Sequence, residues 1–198
     1  VGTLPPGITV TITFGSIHVN LSGVASAADY IAAIQSIRFV NTSDNPSTTV
    51  RVIDVTVTSV TGETATATTF VSIEAINDPP VNYLPGAQIA SEDTVYVFST
   101  ANGNAITIAD PDAGTVPITT ALSVQHGILT IAASVVAATG VVVSGNGTGT
   151  IVVTGSQSTI NAALDGLTYL ANAEFQGADG LLVSTNDNGA TGSGGALI

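Results

Sequence analysis

Apolar and polar residues alternate with a period of two along most of this chain. Ile8-Thr9-Val10-Thr11-Ile12-Thr13-Phe14 is one such run, and longer ones cover 50–60 and 64–76. The pattern returns at 94–98, 105–109, 118–124, 128–132, 150–154 and 180–184. Successive side chains of a strand leave opposite faces, so this period is that of a strand with one buried face. Gly, Asn, Asp, Ser or Pro interrupts nearly every gap, as turns require. Many short strands between regular turns predict an all-β chain of antiparallel Greek-key β-sandwich modules.

The 198 residues allow one large domain or two ordinary ones, and need no disulfide staples. Aromatics make up only 5% and Trp and Met are absent, so Val, Ile, Leu and Ala must fill the core. Such β-branched side chains suit a pleated, half-buried surface. The absence of cysteine removes disulfides, thiolate metal sites and thiol catalysis together. The most apolar stretch, 131–143, is interrupted by Ser134, Thr139 and Gly140, so no segment reaches the roughly 20 apolar residues of a spanning helix. Val1-Gly2-Thr3 carries no secretion signal and reads as the interior of a longer chain.

Two stretches break the alternation. Residues 26–34 and 158–164 each read as one or two helical turns opened by a serine cap, Ser26 and Ser158. They also form an internal repeat: an offset of 130 residues lays Ala32-Ala33 on Ala162-Ala163. Tyr30 then falls on Ile160, Ile34 on Leu164, Ile37 on Leu167, Phe39 on Tyr169 and Val40 on Leu170. One segment reads as a linker, Asn77-Asp78-Pro79-Pro80, whose prolines donate nothing to a sheet and hold an extended backbone. The repeat phase places the next linker just past Ile198. The expected organisation is the C-terminal part of a first module at 1–78, then a second module at 79–198 lacking its last strand. Either neighbouring sequence or another copy of the chain would complete the sheets.

Charge narrows the function. Fourteen acidic residues face two arginines, Arg38 and Arg51, and no lysine, for a net charge of −12. With no basic footprint for phosphates, nucleic acid and anionic membranes are excluded as partners. Carboxylates without counter-charges repel, and divalent cations would turn that repulsion into cross-linking. The acids also cluster at turns. Asn77-Asp78 sits on the linker and Glu74 on the strand entering it; Asp110-Pro111-Asp112-Ala113-Gly114 follows a strand, and so does Thr185-Asn186-Asp187-Asn188-Gly189. Calcium takes about six to eight oxygens from such groups, whereas magnesium's rigid octahedron prefers to keep water. The competing reading of each motif is an ordinary β-turn, because Asp and Asn are standard turn residues.

The succession Asn77-Asp78-Pro79-Pro80, Ser91-Glu92-Asp93-Thr94 and Asp110-Pro111-Asp112-Ala113-Gly114 resembles cadherin-type repeats, a cadherin/immunoglobulin-like architecture. Ala101-Asn102-Gly103-Asn104-Ala105-Ile106-Thr107-Ile108, His126-Gly127-Ile128-Leu129-Thr130, Gly166-Leu167-Thr168-Tyr169 and Gly192-Ser193-Gly194-Gly195-Ala196-Leu197 resemble, more closely, the cadherin-like tandem repeats of large bacterial RTX-type surface adhesins. The close resemblance covers 77–198; residues 1–76 resemble only the C-terminal half of such a repeat. It implies Ca2+ ligands at Asn77, Asp78, Asp110 and Asp112, a later ligand at Asp187, and Glu92 at a far junction. Pro79 stands where many cadherins carry another Asn, and 1–76 lack an Asp-Arg-Glu-like motif. Both departures point to fewer ions than an animal cadherin holds.

Other motifs carry less. Gly145-Asn146-Gly147-Thr148-Gly149 lacks the helix and lysine of a phosphate loop. His18 and His126 stand without a Ser-His-Asp signature, and Asp165 reads as the end of a short helix rather than half of an acid pair with Glu174. The expected function is therefore non-enzymatic: a calcium-rigidified spacer or adhesion repeat, extracellular, on a bacterial surface or secreted. Its partners would be neighbouring modules or other copies, with a cell-surface or glycan ligand possible at the tip. Two alternatives stand beside it. One is a self-assembling filament or surface-layer subunit completed by strand exchange; the other is a glycan- or protein-binding module, which the four tyrosines support weakly.

Overall fold

The computed structural model describes residues 3–13 and 18–198, so Phe14, Val1 and Gly2 lie outside the described residues. The fold is strand-rich and its sheets are antiparallel. The chain divides into two compact units, Val1–Thr42 and Ser43–Ile198.

In the first unit β1 (Thr9–Thr13) pairs with β2 (His18–Ser22), from Thr9 opposite Ser22 to Thr13 opposite His18. Helix α1 (Ala27–Gln35) follows. Ser26 caps it: its Oγ accepts from the Asp29 N–H at 3.2 Å, and Asp29 accepts from the Ser26 N–H at 3.1 Å. This reciprocal pair satisfies two of the N–H groups that a helix start leaves without partners. Ala33 is the buried residue of the helix.

The second unit opens with β3 (Arg51–Thr58) and β4 (Thr64–Val71), a ribbon paired over eight residues. Then come β5 (Val81–Tyr83), β6 (Tyr96–Phe98), β7 (Thr107–Ala109), β8 (Ile118–Ser123) and β9 (Gly127–Thr130). Helix α2 (Ala133–Thr139), β10 (Val142–Ser144), β11 (Thr150–Gly155), α3 (Gln157–Leu164), β12 (Leu167–Ala171) and β13 (Leu182–Asn186) complete it. One sheet runs β10-β11-β8-β13, a second β6-β12-β9, and β5 pairs with β7. Ile118, Leu122, Ile151 and Val153 of the first sheet share a single core with Phe98, Leu129 and Leu167 of the second. Ile160, Ala163 and Leu164 of α3 enter the same core. Each such aliphatic side chain contributes about 2 kcal/mol by leaving water.

The alternation is visible in the burial. Along β8, Ile118, Thr120 and Leu122 are buried while their neighbours are half-exposed. The offset of the repeat is also structural: moved forward by 130 residues, α1 starts at Gln157, where α3 starts. The second cap is Ser156 rather than Ser158, so α3 begins before the expected position. Helix α2 lies in the apolar stretch that gave no helix signal; its N-cap, Ala132, makes no side-chain cap, and Gly140 ends it in the left-handed conformation. Residues 37–41, equivalent to β12, form no strand. β12 is held between β6 and β9, and the first unit shows no such partners among its described residues.

The two units meet at Thr42–Ser43, and the segment around Asp78–Pro79 lies within the second. Local bonding holds it there. The Asn77 N–H donates to Ser193 O at 2.9 Å and Asn45 Nδ2 donates to Asp112 O at 3.1 Å, which ties 45 and 77 to the strands that follow.

Candidate functional site

β7 ends at Ala109, and the turn that follows it is largely buried. Asn104, Ile106, Ile108, Asp110, Asp112 and Ala113 are all buried. Two carboxylates are therefore carried inward just beyond the strand end. Asp110 Oδ1 accepts from the N–H groups of Asp112 and Ala113, each at 2.9 Å, which folds the turn. Gly114 follows in the left-handed region at φ 51°. The Asp110 N–H donates to Gln157 Oε1 at 2.7 Å, fixing the turn to α3.

Two other segments meet this turn. The Asp78 N–H donates to Asp112 Oδ2, and Asn77 is buried beside it. The 187–197 loop closes over both. Asp187, fully buried, accepts from the Gly189 and Leu197 N–H groups at 2.8 and 2.7 Å and from Asn77 Nδ2. Ser193 and Ile76 form a parallel bridge. A Cβ on Gly192 would sit 2.6 Å from the Asn77 nitrogen, so only glycine lets the loop approach this closely. Thr191 is held at φ 38°, strained for a β-branched residue, while its hydroxyl donates to Asp112 O at 2.7 Å.

The arrangement leaves three buried oxygens without a hydrogen-bond partner: Asn77 Oδ1, Asp110 Oδ2 and Asp112 Oδ1. The orientation of the Asn77 amide follows from its bonds. Its nitrogen donates to Asp187 and, at 2.8 Å, to Gly195 O, so its oxygen is the free end. A buried polar group without a partner costs about 1–3 kcal/mol, and more when charged. Two of the three belong to the Asp110–Asp112 turn and the third to Asn77, whose neighbour Asp78 bonds that turn, and a cation is the kind of partner such oxygens accept. The arginines do not serve: Arg51 Nη1 donates to Ser47 O and Thr49 O, and Arg38 Nη1 to Gln35 O and Ile37 O. Among the described residues, no three His, Asp or Glu side chains form a ready-made metal cluster. The free set is instead two carboxylates and an amide, all hard oxygens, which suit calcium or magnesium rather than a thiophilic metal.

The sequence-predicted residues thus take different places. Asn77, Asp78, Asp110 and Asp112 are brought together, Asp78 through its backbone N–H. Both oxygens of Asp187 are already engaged, so it aims the Asn77 amide. Burial pushes the Asp187 carboxyl up, but the Gly189 and Leu197 N–H groups and the Asn77 amide outweigh it and hold it below the ordinary carboxylate value. Glu74 is exposed and lines a shallow cleft with Thr48 and Gly192. Glu92 is exposed at a separate cavity of about 500 Å³, lined by Tyr96, Phe98, Leu129, Tyr169 and Phe175, that shares no residue with the acidic site.

One constellation escaped the sequence reading. Asp179, nearly buried, accepts from the Gln125 N–H at 3.0 Å, the His126 N–H at 2.9 Å and the Tyr169 hydroxyl at 2.9 Å. His126 stacks on Phe175 at 4.2 Å and lies 3.6 Å from Asp179. A lone aspartate between Ala178 and Gly180 gives no signal of this; the pairing of β9 with β12, Leu129 opposite Tyr169 and Gly127 opposite Ala171, brings the partners together. No helix among the described residues is long and apolar enough to cross a membrane. A scan of protein-family models, a search of characterised proteins and a search of solved structures each find no match to this chain.

Proposed function

We propose that this chain is a calcium-binding structural module of a long extracellular surface protein. The observation that carries the reading is the set of three buried, unpartnered oxygens at Asn77, Asp110 and Asp112. These residues would hold the ion, with backbone carbonyls and water completing its shell. Bound calcium would supply the positive charge that the two buried carboxylates lack. The chain's own part is positioning. Asp187 orients the Asn77 amide, Asp78 engages Asp112 from the linker side, and the 187–197 loop is held to Asp187 through the Leu197 N–H. An ion there would lock the 75–78 segment against the strands of the second unit, stiffening the joint where the chain enters them.

The finer fold reading is part of this proposal: the β10-β11-β8-β13 and β6-β12-β9 sheets are the two layers of a cadherin-like Greek-key sandwich. Their shared core supports it. So do the net charge of −12 and the absence of lysine, which favour divalent cations over basic partners. Placement on a bacterial surface or in the secreted medium, and a spacer role in adhesion, follow from the repeat and the resemblance rather than from the geometry. Crystals grown in calcium should show an ion about 2.3–2.6 Å from Asn77 Oδ1, Asp110 Oδ2 and Asp112 Oδ1. Water or nothing at that position under saturating calcium would reject the reading.

A further inference from the structure

The loop after β13 turns back on itself through left-handed backbone. Asn188, Gly189, Thr191, Gly192, Gly194 and Gly195 all have φ between 38° and 133°. Glycine and asparagine tolerate that conformation, and they hold every one of these positions except 191. There the chain carries a β-branched residue at φ 38°, the side chain least suited to it. A glycine at 191 would relieve the strain, so the threonine must supply something that glycine cannot.

What it supplies is a hydroxyl. Thr191 Oγ1 donates to the Asp112 carbonyl at 2.7 Å, and Asn45 Nδ2 donates to the same oxygen at 3.1 Å. Asp112 is buried, its Oδ2 accepts from the Asp78 N–H, and its Oδ1 is one of the three oxygens without a partner. Among the described residues, the two side chains that donate to Asp112 thus both go to its backbone oxygen. Neither covers the free carboxylate oxygen. Their bonds tie the Asp112 main chain to segments 67 and 79 residues away, which restricts how far its carboxylate can move. A ligand fixed in this way binds without first losing its own freedom.

We propose that Thr191 is a positioning residue for the cation site, kept left-handed for the sake of its hydroxyl. With Asn45 it holds Asp112 so that Oδ1 stays open to the ion. The inference rests on the calcium reading, and its test separates the two. Calcium affinity of the whole chain is measured by titration calorimetry, with thermal melting in EDTA alongside. Thr191→Gly suits the backbone but lacks the hydroxyl, so its affinity should fall about fivefold, the worth of one hydrogen bond. Its melting in EDTA should stay within a few degrees of the parent's, because relieved strain offsets the lost bond and the added chain entropy. Thr191→Ser keeps the hydroxyl and should bind like the parent. Asn45→Ala, which leaves the loop intact, should weaken binding as Thr191→Gly does. A merely structural bond would instead lower melting in EDTA and leave the affinity unchanged. Parent-like affinity in Thr191→Gly or in Asn45→Ala, or an equal loss in Thr191→Ser, would overturn the inference and leave the calcium reading standing. A parent chain that binds no calcium would overturn both.

Discussion

At the residue scale, the acidic site begins where a core strand ends. Ile106 and Ile108 point inward, and the turn that follows buries Asp110 and Asp112 as well. The turn with its two carboxylates was legible in the sequence as an Asp-x-Asp pair. The job of Asp187 was not. It depends on the backbone N–H groups of Gly189 and Leu197 and on an amide 110 residues away, and no local pattern announces such bonds. Replacing Asp187 by Ala removes three hydrogen bonds to a buried charge and releases both the loop and Asn77. The expected loss is about 3 kcal/mol of stability without any calcium present, read by denaturant unfolding. Asp187→Asn keeps an acceptor and should lose less. An Asp187→Ala chain as stable as the parent would mean that the 187–197 loop does not clasp the site.

At the scale of elements, strands and helices were legible where their own residues carry a pattern, and β2, β5, β10 and α2 lie outside the alternating runs and the capped turns. A strand's alternation is written in its own residues, whereas α2 lacks a side-chain cap and is defined by what packs on it. Equivalent sequence is also insufficient by itself: residues 37–41 match β12 in pattern and form no strand where partner strands are lacking. Asp179 shows how elements are tied. It joins the turn between β8 and β9 to Tyr169 on β12. Burial pushes its carboxyl up, and the Gln125 and His126 N–H groups, the Tyr169 hydroxyl and the His126 charge outweigh it, leaving it below the ordinary value. Burial and the same carboxylate push the Tyr169 hydroxyl up to about 12. A depressed carboxyl contributes stability above its unfolded value and loses it as pH falls through the folded one. A raised phenol contributes below its unfolded value and loses it as pH rises toward about 12. Asp179→Asn should therefore flatten the acid limb of a melting temperature–pH profile and weaken the alkaline limb set by Tyr169. An acid limb identical to the parent's would show that Asp179 is not among the groups that set it.

At the scale of the whole molecule, a net charge of −12 with two arginines leaves the chain short of positive charge in general, and short of it at one buried place in particular. Composition pointed to cations and spacing pointed to the turns, but only the fold shows which oxygens are left over. The account's central claim is that a calcium ion supplies what the protein omits. The most direct measurement is thermal melting of the parent chain and of Asp110→Asn/Asp112→Asn, each in calcium and in EDTA. At a hundredfold excess over the dissociation constant, binding stabilises by about 2.7 kcal/mol, which corresponds to roughly 5–10 °C for a domain of this size. The parent should melt higher in calcium by that order. The double variant, relieved of two buried charges, should melt in EDTA at or above the parent and gain nothing from calcium. Equal melting of the parent in calcium and EDTA, or a calcium response retained by the double variant, would contradict the account.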